Sequence, residues 1–241
     1  MEKELMTATI IEHLAELRKR LIIIFAVNIA GAVACYQFID RLIAVLLRLN
    51  PGMDLIYITP SELFMVYIRL AIICAVVILF PITVTQIWAF IAKGLYKKER
   101  HYGMVALIAG VFFFILGALF AYFTALPITL DFFLRITIEG IEPMISIDSY
   151  ISFCTSLLGC FGAAFELPVV VFLLAELEIL KPKHLKQYHG VLIILIFTIA
   201  AFLTPPDVLT QIILAVPMVA LLQLSMGICW LIDKRKQKKR E

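Results

Sequence analysis

The sequence contains little charge for its length. Only 16% of its 241 residues are Asp, Glu, Lys or Arg, and 63% are hydrophobic. Soluble domains are about a quarter charged and roughly half apolar. A soluble globule of this composition would expose more apolar surface than water tolerates. The composition excludes a soluble enzyme, a disordered chain, a coiled coil and a disulfide-stapled secreted module, and it predicts an all-α polytopic membrane protein.

The sequence also lacks the short motifs that mark catalytic and metal sites. It has no HExxH, GxSxG or Walker-type loop and no CxxC or Cys/His cluster. Its five cysteines all fall inside long apolar runs, which is typical of buried thiols that act as small apolar side chains. We therefore expect no enzymatic activity, no metal and no cofactor.

Six apolar runs are long enough, or nearly so, to cross the roughly 30 Å hydrocarbon core of a bilayer as helices. The predicted spans cover residues 21–39, 70–92, 102–126, 149–175, 188–203 and 208–232. The third is expected to stop at Pro127. Prolines inside the second, fourth and sixth predict kinks at Pro81, Pro168 and Pro217, which favour a concave shape. Residues 1–241 are predicted to form a single membrane domain.

Lys and Arg are distributed very unevenly between the two sides of these spans. Seventeen of the 21 fall on one side, in residues 1–20, 93–100, 181–186 and 233–241. The positive-inside rule therefore predicts six helices with both termini in the cytoplasm. Residues 1–20 have an apolar stripe and are predicted to form an interfacial helix. The basic tail, residues 233–241, is predicted to bind anionic lipid rather than nucleic acid.

Glu166 is the one carboxylate well inside a predicted span. An acidic side chain there costs about 3 kcal/mol on insertion scales, so it needs a partner, a proton or a wet cavity. From the residues alone it either makes an interhelical hydrogen bond or serves as a functional group. The second option allows a proton- or cation-coupled small-solute transporter as an alternative function, and a structural scaffold is a third. Gln86, Gln211 and Gln223 are expected to form interhelical hydrogen bonds.

Three other carboxylates lie near the predicted membrane boundaries. Thr59, Pro60 and Glu62 have the spacing of a helix N-cap, a first helical residue and the third position of a capping box. Glu16 and Glu99 each lie among basic residues. The spacing alone leaves two alternatives open for these two carboxylates. Each is either an ordinary ion-pair partner, as Glu16 would be of Arg20 four positions on, or part of a specific site.

Five stretches in order along the chain together resemble the TatC subunit of the twin-arginine protein translocase. They are residues 13–21 (HLAELRKRL), 59–64 (TPSELF), 86–100 (QIWAF running into GLYKKER), 161–168 (FGAAFELP) and 203–207 (LTPPD) with Gln211. Two positions depart from the family pattern, because Lys93 stands where a proline is usual and Gln223 where a Glu is frequent.

The resemblance implies the receptor core of a machine that exports folded proteins, driven by the proton-motive force. It implies that twin-arginine signal peptides bind at the cytoplasmic face, with their arginines held by the carboxylates of Glu16 and Glu99. Arg18, Phe90 and Lys97 match positions in the same region. A guanidinium fork suits a carboxylate in a way that an ammonium group cannot reproduce.

The resemblance also implies partners and a location. Helices five and six, with Gln211, would dock the single-span subunits TatA and TatB. Glu166 matches a carboxylate on a concave face within the membrane, and Asp207 matches a residue of the outer turn. The implied setting is the bacterial inner membrane, within a receptor complex containing several copies of the chain.

Overall fold

The computed structural model describes residues 2–49, 52, 54–92, 97–135, 144–203 and 208–238. Within its helices, the side chains of residues 2–12, 97–99, 203, 209 and 210 lie outside the description. The helices are α1 (Glu2–Gln37), α2 (Ile39–Leu47), α3 (Pro60–Ile78), α4 (Phe80–Ile91), α5 (Lys97–Phe120), a π-helix (Ala121–Ala125), α6 (Leu126–Arg135), α7 (Ile147–Phe165), α8 (Leu167–Glu176), α9 (Pro182–Gln187), α10 (His189–Leu203) and α11 (Val208–Lys238). Two short strands, β1 (Leu55–Ile56) and β2 (Ile145–Ser146), pair in parallel.

Five stretches of helix in the described part of the chain are long and apolar enough to cross a bilayer. They are His13–Gln37, Pro60–Ile78, Arg100–Arg135, Ile147–Glu176 and Gln211–Lys238. The helix α10 is apolar but has only 15 residues, which agrees with the short fifth run of the sequence. The helix that contains the start of the second predicted span begins at Pro60, ten residues before residue 70.

The N-terminal 37 residues differ from the predicted division into an interfacial helix and a span. Residues Glu2–Gln37 form one helix of 36 residues, with no interruption near residue 20. At its far end, the nine-residue α2 follows after a turn at Phe38. Likewise the predicted basic tail begins inside α11, which remains helical to Lys238.

The start of α3 has the predicted N-cap at Thr59 and the predicted Pro60 in its first turn. The capping box itself is different. The hydroxyl of Thr59 contacts that of Ser61 instead of capping the helix, and Glu62 Oε2 accepts the Ile58 N–H at 2.8 Å. Glu62 Oε1 accepts a longer bond of 3.4 Å from the Asp148 N–H. This carboxylate therefore links the start of α3 to the start of α7.

The helix that contains Pro127 does not stop there, so this prediction was wrong. One turn before the proline, Ala121–Ala125 form a π-helix in which the Leu126 N–H bonds to the Ala121 carbonyl. A proline lacks the N–H of a regular helix, and its ring clashes with the carbonyl four residues back. The wider π turn changes the bonding register there, and the helix continues as α6 to Arg135.

Two of the three predicted proline kinks coincide with breaks between helices. The structure separates α3 from α4 at Leu79, just before Pro81, and α7 from α8 at Glu166, just before Pro168. Pro217, in contrast, lies inside the unbroken helix α11. Glu166 is therefore at a junction of two helices and not in the middle of one.

The helices pack through one large apolar core to which α2, α3, α5, α7, α10 and α11 contribute, with the π-helix and α6. Antiparallel α5 and α7 approach closely at Gly117, where an added Cβ would lie 2.5 Å from the Phe161 carbonyl oxygen. Small residues at such crossings allow helix backbones to come together. The packing brings the start of α5 and the end of α8 to the same end of the helices.

We call that end the basic end; it comprises residues 13–20, 92, 97–100, 176–188 and 233–238. Lys236 of α11 closes it by donating to the carbonyl oxygens of Ala175 and Glu176, at 3.1 and 2.6 Å. Its ammonium group also lies 3.4 Å from Glu176 Oε2. Lysine thus caps the last turn of α8, where backbone acceptors have no helical partner.

The opposite end, which we call the loop end, is held by side chains that reach across helices. Arg69 of α3 forms an ion pair of 2.7 Å with Asp148 and contacts the Ser152 hydroxyl. The hydroxyls of Tyr122 and Tyr150 donate to the carbonyls of Val45 and Leu46. These two bonds serve the C-terminal carbonyls of α2.

Candidate guanidinium site at the basic end

The interface between α1 and α4, which we call the α1–α4 seam, contains polar contacts along its length. The ring of His13 lies 4.6 Å from the ring of Phe90 between centroids. Two turns further along α1, Arg20 Nη1 donates to Gln86 Oε1 at 2.6 Å. Beyond that, Asn28 Nδ2 contacts the Thr83 hydroxyl at 3.3 Å.

The spacing of these residues explains why they meet. His13, Glu16 and Arg20 follow one another at three and four positions along α1, and residues 83, 86 and 90 do the same along α4. Residues three or four apart share one face of a helix. Because the two helices run antiparallel, His13 faces Phe90, Arg20 reaches Gln86, and Asn28, two turns after Arg20, reaches Thr83.

A bound guanidinium group lies at the centre of the seam. Arg20 Nε donates to Glu16 Oε1 at 2.9 Å while Nη1 of the same side chain donates to Gln86. The side chain of Arg20 is 25% exposed and that of Glu16 17% exposed, so both are shielded but reachable. A carboxylate and an amide oxygen at the basic end therefore already form a site for one guanidinium group.

The start of α5 is anchored beside the end of α4. Arg100 Nε donates to the Ala92 carbonyl at 2.8 Å, so a cation lies at the C-terminus of α4, where the helix dipole favours it. The ring of Trp88 lies directly against Gly103, in space that a Cβ would need. Glu99 is one turn before Gly103 on the same face of α5. The side chains of Glu99 and Lys97 themselves lie outside the described residues.

The other predicted site residues are not part of this seam. Arg18 is exposed, and two residues of helix, or about 200° of rotation, separate it from both Glu16 and Arg20. Gln211 of α11 donates to the Phe197 carbonyl of α10 at 2.9 Å, which is the interhelical bond expected of it. Gln223 contacts His189 of α10 at 2.7 Å. Asp207 lies outside the described residues.

Glu166 lies between α7 and α8, away from the α1–α4 seam and from the contacts between α10 and α11. Its Oε2 faces Gly110 of α5, where an added Cβ would be 3.0 Å away. Its Oε1 is buried and has no hydrogen-bond partner in the described part of the chain. Among the described residues, no cluster of three or more His, Cys, Asp or Glu is placed to hold a metal ion.

Comparison with known proteins identifies the family to which these helices and the seam belong. Residues 12–217 match the family model described as Sec-independent protein translocase protein (TatC). The chain belongs to the TatC family. It is a multi-pass membrane protein and a component of a Sec-independent protein translocase.

Relatives and solved structures agree over almost the whole length. The TatC protein of Carboxydothermus hydrogenoformans is 36% identical over 95% of this chain and 95% of its own. That of Escherichia coli K12 is 33% identical over 90% of this chain and 86% of its own. A crystal structure of the twin-arginine translocase receptor TatC matches with a TM-score of 0.81 at 33% identity, covering 92% of this chain and 99% of that one.

The interhelical hydrogen bond expected of Gln86 is present, but its partner, Arg20, was not foreseen from the sequence. Arg20 was considered only as a local partner of Glu16, and Gln86 only as a general interhelical donor or acceptor. The intervals of 13, 16 and 20 on α1, and of 83, 86 and 90 on α4, indicate that each set shares one helix face. This pattern becomes informative only when α1 and α4 are known to be neighbours.

Proposed function

We propose that this TatC family member is the receptor that binds twin-arginine signal peptides of folded proteins at the basic end. One arginine of the peptide binds at Glu16, in the α1–α4 seam, and the other at Glu99 in the first turn of α5. Arg18, Phe90 and Lys97 border the same region. No covalent chemistry and no cofactor is involved.

The observation that supports this proposal most directly is the guanidinium group already held between Glu16 and Gln86. The same acceptors that bind Arg20 suit an arginine of a peptide, since a guanidinium presents several donors in a rigid planar fork. The partial exposure of Glu16 leaves it within reach of a ligand.

A pair of carboxylates on different helices suits a pair of arginines. Glu16 is on α1 and Glu99 on α5, and the bond from Arg100 to Ala92 keeps the start of α5 beside α4. The surrounding Lys and Arg residues repel cationic ligands that cannot form the directed hydrogen bonds. This combination favours arginine over lysine.

The proposal extends to partners and orientation. The basic end faces the cytoplasm of a bacterial cell, and both termini lie there, as the positive-inside rule indicates. Single-span TatA and TatB dock along α10 and α11 near Gln211, several copies of the chain assemble in the receptor complex, and the proton-motive force drives transport.

Binding of a fluorescent twin-arginine signal peptide to the purified full-length protein in detergent tests the receptor proposal. We expect a twin-lysine peptide to bind at least tenfold more weakly, and Glu16→Gln and Glu99→Gln each to weaken twin-arginine binding about tenfold, because each removes a charge-assisted hydrogen-bond acceptor. Fluorescence anisotropy gives each Kd.

The matched control is Glu178→Gln, since Glu178 is 53% exposed at the same basic end and lies outside the α1–α4 seam. It should leave the Kd unchanged. Equal affinity of the arginine and lysine peptides would contradict the proposal and indicate charge attraction alone. If Glu166→Gln abolished the activity of the protein in the cell while Glu99→Gln left that activity intact, the small-solute transporter alternative would be favoured.

A further inference from the structure

The guanidinium of Arg20 occupies the acceptor that the proposed function assigns to an arginine of the signal peptide. It bonds to Glu16 Oε1 at 2.9 Å and to Gln86 Oε1 at 2.6 Å. An incoming guanidinium that uses the same carboxylate oxygen must therefore compete with a resident one. Arg20 is thus more than a neighbour of the site.

We propose that Arg20 sets the affinity of the site by acting as a resident competitor, so that signal-peptide binding exchanges one guanidinium for another. This inference rests on the proposed receptor function and adds a residue and a mechanism to it. In the free protein Arg20 fills the carboxylate. In the complex the peptide's arginine takes its place at Glu16, and Arg20 keeps its bond to Gln86.

The geometry supports an exchange rather than simple addition. Arg20 is four residues after Glu16 on one helix, so the pair forms without any long-range rearrangement. Gln86 comes from another helix, so Arg20 has a second acceptor when it leaves Glu16. The side chains of Arg20 and Glu16 are mostly shielded from solvent. Leaving the Glu16 carboxylate without a hydrogen-bond donor would therefore cost more free energy there than at an exposed position.

Competition of this kind raises the concentration at which any ligand binds. An arginine that displaces Arg20 replaces one charge-assisted hydrogen bond to Glu16 by an equivalent one. The cost of moving Arg20 is the same for a lysine ligand, so the resident guanidinium raises the Kd of both ligands by the same factor. A lysine ligand, which lacks the fork geometry and binds more weakly, therefore stays unbound at concentrations at which an arginine ligand binds.

The decisive variant is Arg20→Lys, because it preserves the charge of the site and weakens only the competitor. We expect twin-arginine peptide to bind Arg20→Lys about three- to fivefold more tightly than the wild type. Twin-lysine peptide should gain by the same factor, so that the ratio of the two Kd values stays unchanged. Arg20→Gln should tighten the binding of both peptides further, since it also removes a repelling charge.

Arg135→Lys is the matched control. Arg135 forms a similar ion pair with Asp131 four residues away, at 2.8 Å, but on α6 near the loop end. The same substitution there should change neither Kd. If Arg20→Lys binds twin-arginine peptide as the wild type does, or more weakly, the competitor role is refuted. The receptor proposal would still stand wherever the wild type prefers arginine and depends on Glu99.

A second measurement follows Arg20 in the wild-type protein, and Arg20→Lys serves only to assign its signal. With ¹⁵N-labelled arginine, the Arg20 Nε–H signal is identified by its absence in Arg20→Lys. If the peptide's arginine replaces Arg20 at Glu16, unlabelled twin-arginine peptide should shift this signal. It should also speed the exchange of the Arg20 Nε–H hydrogen with solvent. An Arg20 signal unchanged at saturating peptide would overturn the inference, even if the peptide binds selectively.

Discussion

At the scale of single residues, Lys236 joins two helices that are far apart in the chain. Its ammonium group binds two carbonyl oxygens at the end of α8 and approaches Glu176 Oε2 at 3.4 Å. The Glu176 side chain is only 6% exposed. A buried carboxylate is costly when its cation is removed, so this lysine stabilises more than an exposed ion pair would.

Lys236→Met should therefore lower the stability of the protein. The substitution keeps most of the apolar stem, removes the cap of α8 and leaves the Glu176 carboxylate without that cation. We expect a loss of about 2 kcal/mol, or roughly 4–8 °C in Tm for a chain of this size. Thermal unfolding in detergent, followed by circular dichroism, measures it.

Lys238→Met provides the comparison, because Lys238 is exposed in the last turn of the same helix. Its Tm should equal that of the wild type within about a degree. An equal fall in Tm for the two variants would mean that the loss of one positive charge, and not the loss of the bonds to α8, causes the destabilisation.

At the scale of helices, the contact between α5 and α7 depends on the absence of a side chain at Gly117. A Cβ there would be 2.5 Å from the Phe161 carbonyl oxygen and 2.9 Å from Phe165 Cβ. Both neighbours belong to the packed interior, so neither can give way without moving a helix.

Gly117→Ala should separate α5 from α7 and destabilise the protein by about 1–3 kcal/mol, as overpacking of a core does. Gly159→Ala is the matched variant, since the corresponding Cβ on α7 would meet no atom of another described helix within 4 Å. We expect Gly159→Ala to be neutral or slightly stabilising, because alanine favours a helix over glycine. Similar Tm values for the two alanine variants would contradict this view of the crossing.

Helix boundaries could be predicted from the sequence where a local signal defines them. Thr59 and Pro60 specify the start of α3 through their backbone preferences, and α3 begins there. At Pro127 the local signal predicted a helix end that is not there, because a π-helix precedes the proline and the chain stays helical through it. The formation of that π-helix depends on packing around Ala121 and Ala125, both buried, which no local pattern records.

The site was predictable in its residue types and only partly in its contacts. Glu16 and Phe90 were recognised from family motifs, and both lie in or beside the α1–α4 seam. The bond between Arg20 and Gln86 joins residues 66 positions apart, so it depends on the tertiary neighbours of α1. Glu166 was expected within a span, and it lies inside the membrane-length stretch Ile147–Glu176, at the junction of α7 and α8.

At the scale of the whole molecule, the arrangement of helices separates a basic end from a loop end. The polarity of this arrangement predicts that residue 52 and Lys238 lie on opposite sides of the membrane. Alkaline phosphatase, which is active only outside the cytoplasm, should therefore be active when inserted after Gly52 and inactive when fused after Lys238.

The two fusions serve as controls for each other, since both carry the same reporter on the same chain. A green fluorescent protein fused at the same two positions should give the reverse pattern. Activity of phosphatase at Lys238 with none at Gly52 would invert the orientation and place the α1–α4 seam on the outer face, where signal peptides of cytoplasmic precursors have no access.

The cap supplied by Lys236 also imposes an order on the biogenesis of the protein. Lys236 follows Glu176 by 60 residues, and α10 and most of α11 lie between them. A chain is synthesised from its N-terminus, so α8 enters the membrane before its cap exists. The carbonyl oxygens at its end gain the Lys236 cap only after nearly the whole of α11 has been synthesised. The basic end therefore cannot reach its final structure before α11 is made.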